Sequence, residues 1–156
     1  MSANPAWRRR VAALLLALTA PFCAHAADSV RIDNAWARAT APGQKVAAVF
    51  MDLTASTDHS LVAAESPAAK QVQLHNMAME NGVMIMREVK EIALAKGRTV
   101  QLKPGGLHVM LIDLNGPIPA GATVDLTLVV KNAAGREERI ALRAPAKAMA
   151  NPPHRH

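Results

Sequence analysis

Between residues 28 and 144 the chain alternates short apolar runs with turn residues, and no stretch keeps the 3.6-residue period of an amphipathic helix. The clearest run is Val124, Leu126, Leu128 and Val130, interleaved with Thr123, Asp125 and Thr127, the period-2 pattern of a half-buried strand. Comparable runs at 30–37, 46–53, 61–65, 72–79, 83–89, 99–102, 108–114 and 139–143 predict further strands. Pro42-Gly43, Lys103-Pro104-Gly105-Gly106, Gly116-Pro117 and Ala134-Gly135 punctuate them. Residues 88–96 fit a turn or two of helix and a short strand equally well. Eight or nine short strands predict an all-β sandwich formed by a single domain.

The first 26 residues follow a different logic. Arg8-Arg9-Arg10 precede an apolar stretch at 11–20, and Ala24-His25-Ala26 is a small-x-small cleavage site, the arrangement of a secretory signal. The predicted organisation is therefore a leader at 1–26, a β-sandwich at 27–144 and a flexible His/Met-containing tail at 145–156. Removing the leader takes away three arginines and no acids, so the net charge falls from +6 to +3. With no Lys/Arg cluster left and only 3% aromatic residues, a nucleic-acid partner is excluded. The 156 residues are 51% hydrophobic and 19% charged, which excludes a disordered chain, and no apolar run reaches the roughly 18–20 residues of a membrane span. Cys23 lies in the leader, and Ala20-Pro21-Phe22-Cys23 matches a lipoprotein acceptor site poorly. The exported chain, expected in the periplasm, then has neither a disulfide nor a thiolate ligand.

The candidate chemistry sits around Asn81-Gly82, a two-residue hairpin turn signal. With those residues as the loop, Glu80 pairs with Val83, Met79 with Met84, Met77 with Met86 and His75 with Glu88. One face of the hairpin then carries His75, Met77, Met79, Met84 and Met86, while Leu74, Ala78, Val83 and Ile85 make the other a core-like face. On the strand at 108–114, His108 and Met110 point one way and Val109 and Leu111 the other. At the His and Met density of the exported chain, about one i,i+2 pair of these residues is expected by chance. Five occur, and four of them lie in these two elements.

Methionine is a common core filler, but here the opposite hairpin face supplies aliphatic residues, and His75 and His108 would need polar partners in a core. A metal site accounts for the cluster better. Neutral thioethers are soft donors suited to Cu(I), whereas calcium and magnesium want oxygen and structural zinc wants thiolate or several imidazoles. A blue-copper electron-transfer site needs a Cys thiolate, which is missing.

His75, ten residues, Met86, twenty-one residues and His108-Val109-Met110 resemble the motif of the periplasmic copper chaperones called PCuAC. The segments Asn81-Gly82-Val83-Met84-Ile85-Met86-Arg87 and Leu102 to Leu111 also look like that family, and the similarity runs over 32–130. Asn76 stands where some members have a Met directly after the first His. The resemblance implies a cupredoxin-like Greek-key β-sandwich that holds one Cu(I) through His75, Met86, His108 and Met110. It implies delivery of that copper to an accepting protein such as an oxidase copper subunit or its assembly chaperone, toward the dinuclear copper centre of cytochrome c oxidase. A copper-buffering or resistance protein would use the same ligands, and a β-sandwich whose Met face is a protein interface would bind no Cu(I).

Met149, His154 and His156 are the candidate donors of a second, weaker copper site, Cu(II) included, the alternative being a plain polar end. Met77, Met79 and Met84 are candidate shields or transient donors. Trp36 and Phe50 are expected as core anchors and His59 as an exposed turn residue. No HExxH, GxSxG, nucleophilic Cys or Gly-rich phosphate loop points to an enzyme, and a monomer is expected.

Overall fold

The computed structural model describes residues 29–149, so the leader with Cys23 and the tail histidines His154 and His156 lie outside the described residues. The described chain is all strand: β1 (Val30–Arg38), β2 (Val46–Ala55), β3 (His59–Glu65), β4 (Ala69–Glu80), β5 (Val83–Glu88), β6 (Ile92–Leu94), β7 (Thr99–Leu102), β8 (His108–Leu114), β9 (Thr123–Asn132) and β10 (Glu137–Lys147). Residues 92–94 thus take the strand alternative. Among the described residues no helix is long and apolar enough to cross a membrane.

Hydrogen bonding links the strands in the order β5-β4-β8-β2-β1-β10-β9-β3-β6, with β7 on the same edge of β2 as β8. The two halves join through a parallel pairing of β1 with β10 at only Ala37↔Ala146 and Arg38↔Lys147. They close over one apolar core, in which Val49, Leu53, Val109 and Leu111 of the first half meet Leu61, Leu126, Leu128 and Val130 of the second. Each such side chain contributes about 1.5–3 kcal/mol on burial. The fold is a cupredoxin-like β-sandwich.

Three local features depart from the sequence reading. Residues 145–147 belong to β10 and not to the tail: Pro145 pairs with Thr123, and Ala146 is buried and donates its N–H to Ala122 O at 2.7 Å. Proline reads as a strand end because it lacks a donor, yet here the strand changes neighbour from β9 to β1 at that point. Of the two expected core anchors, Phe50 is buried, 2% exposed, though outside the main inter-sheet cluster, and Trp36 is only half-buried. A bulge between Asp33 and Trp36, with Asn34 at φ 53, shifts the register by one and pairs Trp36 with Phe50 on the outward face of the sheet. His59 is buried at the head of β3 with Nδ1 2.7 Å from Thr57 O, where an exposed turn residue was expected.

Candidate metal centre

The Asn81-Gly82 turn has φ 49 and φ 79, both left-handed, as a two-residue hairpin of the right twist requires. The β4–β5 register follows the sequence expectation: His75↔Glu88, Met77↔Met86, Met79↔Met84 and Glu80↔Val83. β8 lies on the other edge of β4 and puts His108 opposite His75 and Met110 opposite Gln73. His75, Met86, His108 and Met110 therefore come from three adjacent strands and share the outward face of one sheet, opposite the face on which Leu74, Val109 and Leu111 enter the core.

Of the expected core-like back of the hairpin, Leu74 is core, but the part nearer the turn is not. Val83 is 60% exposed and Ile85 half-buried, and the same face carries the Glu80–Arg87 ion pair, with Arg87 Nη2 2.8 Å from Glu80 Oε2. β8 pairs with β4 only as far as His75, so the ribbon beyond it projects past the paired sheet, and the face with Val83 and Ile85 stays largely open to solvent.

The two histidines are prepared differently. Nδ1 of His108 lies 2.9 Å from Gly106 O, so Nδ1 keeps its proton and donates it in a hydrogen bond to the carbonyl, which leaves Nε2 with its lone pair. Gly106 O also accepts the Met77 N–H at 3.1 Å, which ties the β7–β8 loop to β4 beside the site. His75 donates from Nε2 to Gln73 Oε1 at 2.9 Å, and its Nδ1 is buried with no partner. A buried, unpaired ring nitrogen costs free energy unless something fills its lone pair. The rings of His75 and His108 lie 5.8 Å apart at their centroids. Burial first, and the neighbouring His108 second, hold the His75 imidazole below its ordinary 6.5, against a smaller upward pull from Glu88. The neutral form is the one that binds metal.

Met77, Met86, His108 and Met110 line one open pocket of about 120 Å³, over a floor that includes Phe50. Among the described residues no three His, Cys, Asp or Glu side chains gather in a way that could hold a metal ion. What this pocket offers is therefore imidazole and thioether, uncharged and soft. Arg38 lines the same pocket, its guanidinium 5.7 Å from the Phe50 ring centroid and its Nε buried without a partner. A fixed positive charge there opposes a divalent ion twice as strongly as a monovalent one. Sequence reasoning missed Gln73, Gly106 and Arg38. Gln73 was within reach, being two residues before His75 and so on its face. Arg38 was not, because β1 reaches the site through pairings distant in sequence.

A family model described as "Putative lipoprotein LpqE-like" matches residues 30–141. The chain belongs to the LpqE-like family. It is 37% identical over 128 residues to "Putative lipoprotein Lxx21020" of Leifsonia xyli subsp. xyli, covering 76% of this chain and 77% of that protein. Among solved structures it is similar to the copper-bound PCuAC domain from PmoF2, with a TM-score of 0.63 and 26% identity over 80% of this chain and 97% of that one. It is similar also to the solution structure of Cu(I)-DR1885 from Deinococcus radiodurans, with a TM-score of 0.51 and 30% identity over 80% of each chain. The resemblance to PCuAC carried by the His/Met spacing and the likeness of the whole fold thus point the same way.

Proposed function

We propose that this LpqE-like protein is an exported Cu(I) metallochaperone. One Cu(I) is held by His75, Met86, His108 and Met110 and passed to an accepting protein, toward the dinuclear copper centre of cytochrome c oxidase. The observation that carries this reading is the His75–His108 pair: each ring spends one nitrogen on a local acceptor, Gln73 or Gly106, which frees the other for a metal. The shared outward face with Met86 and Met110 supplies the soft half of the donor set. The solved relatives described as copper-bound and as Cu(I)-bound support the same cargo. Uncharged ligands hold a monovalent ion without the grip of thiolates, which suits a carrier that must release it.

The leader and the relatives described as lipoproteins support export to the cell envelope. We place cleavage after Ala26 and the metal-binding unit at 27–144, extended by the end of β10 to Lys147.

The test is anaerobic Cu(I) competition against a chromophoric chelator, using the chain without 1–26. Wild type is compared with a His108→Ala/Met110→Ala double variant and with a truncation after Ala148, which leaves β10 whole. One tight equivalent, lost in the double variant and kept in the truncation, is expected. No tight equivalent in wild type would sink the copper reading. Transfer of that equivalent to an apo oxidase copper subunit or its assembly protein separates a chaperone from a copper buffer, which would retain it.

A further inference from the structure

Met79 and Met84 are cross-strand partners next to the Asn81-Gly82 turn, and they remain 63% and 45% exposed. Core packing does not explain two large apolar side chains on a ribbon that runs past its sheet. Met51, fully buried, is what a packing methionine looks like in this protein. Direct strand partners have Cβ atoms about 4.5–5.5 Å apart, and three rotatable bonds let each thioether turn toward its partner. Two sulfurs can then converge on one soft ion.

The pair also has a direction. One step inward along both strands, roughly 6.5–7 Å away, the next rung on the same face is Met77↔Met86, and both of its members line the pocket with His108 and Met110. Soft donors thus run without interruption from the solvent-exposed tip of the hairpin to the histidine pair. We propose that Met79 and Met84 form a second, outer Cu(I) site through which copper enters and leaves the inner one, with Met77 as the donor between them. This rests on the inner cluster being a copper site. Two thioethers with no imidazole hold Cu(I) more weakly and exchange it faster than the inner set, as an entry station must.

The experiment uses the full exported chain under anaerobic conditions. Cu(I) is titrated against a weak chelator, and X-ray absorption counts the sulfur ligands of each equivalent. Wild type is compared with Met79→Leu/Met84→Leu, which keeps the apolar volume at exposed positions, and with Val83→Leu as a control on the other face. Two equivalents are expected in wild type and in Val83→Leu, the weaker with sulfur ligands only. The double variant should lose that weaker equivalent, keep the tight one, and release copper to the chelator more slowly. A single equivalent in wild type, or a second one with sulfur ligands only that survives in the double variant, overturns the outer site while leaving the inner reading intact. No equivalent at all overturns both.

Discussion

Replacing Gly105 with Ala tests whether the β7–β8 loop sets up the proposed metal centre. Gly105 sits at φ 82, and a Cβ built there meets nothing within 4 Å, so the cost is conformational and not steric crowding. For an L residue the left-handed region costs roughly 1–2 kcal/mol, which lowers the melting temperature of a domain of this size by roughly 3–10 °C. Relaxing that strain rotates the adjoining peptides and displaces Gly106 O, the acceptor for both His108 Nδ1 and the Met77 N–H. Loss of such a supporting hydrogen bond weakens metal binding by about 10–100-fold. Gly105→Asn should cost less on both counts, because Asn34 and Asn81 already adopt φ 53 and φ 49 in this chain. Thermal melts followed by circular dichroism and anaerobic Cu(I) competition read the two effects. Equal melting of Gly105→Ala and wild type would refute the strain argument. Lowered stability with unchanged affinity would refute the role given to Gly106 O.

Gln73→Leu removes the acceptor of the His75 Nε2–H and should weaken Cu(I) binding about 10–100-fold, whereas Gln73→Glu, which keeps an acceptor, should not; competition titration decides. Because burial and His108 lower the His75 pKa, its proton competes with copper only below the ordinary 6.5. On this account protonation of His75 adds to copper loss only below 6.5, as the pH falls through the lowered value. The stability that His75 lends the apo fold has the same sign, full above 6.5 and declining below it, and a loss of copper beginning above 6.5 would count against His75 as a ligand. Peroxide should oxidise the exposed Met79, Met84 and Met86 before the buried Met51, as peptide mass spectrometry would show, and the Met86 sulfoxide should weaken Cu(I) binding.

The hairpin register was legible because two adjacent residues that accept positive φ leave little choice of turn, and the turn then dictates every pair on one face. What escaped the pattern were the places where period-2 alternation breaks. The bulge at Asn34 turns Trp36 outward by a single-residue slip, and Pro145 marks a change of neighbour where a strand end was expected. Val83 and Ile85 look like core residues until the sheet is seen to stop at His75. The burial of His59 escaped for a related reason, since its strand partners Leu94 and Asn132 lie far away in sequence.

One oxygen, that of Gly106, answers to two strands: it accepts from the His108 ring at the head of β8 and from the Met77 backbone on β4. The solvent exchange rate of a single amide proton is thereby coupled to the orientation of an imidazole. Whatever fixes that ring, a bound ion included, slows exchange at Met77, and whatever turns it away speeds it. On the proposed copper reading the Met77 amide is a natural reporter of occupancy, legible by NMR without any added label on the metal.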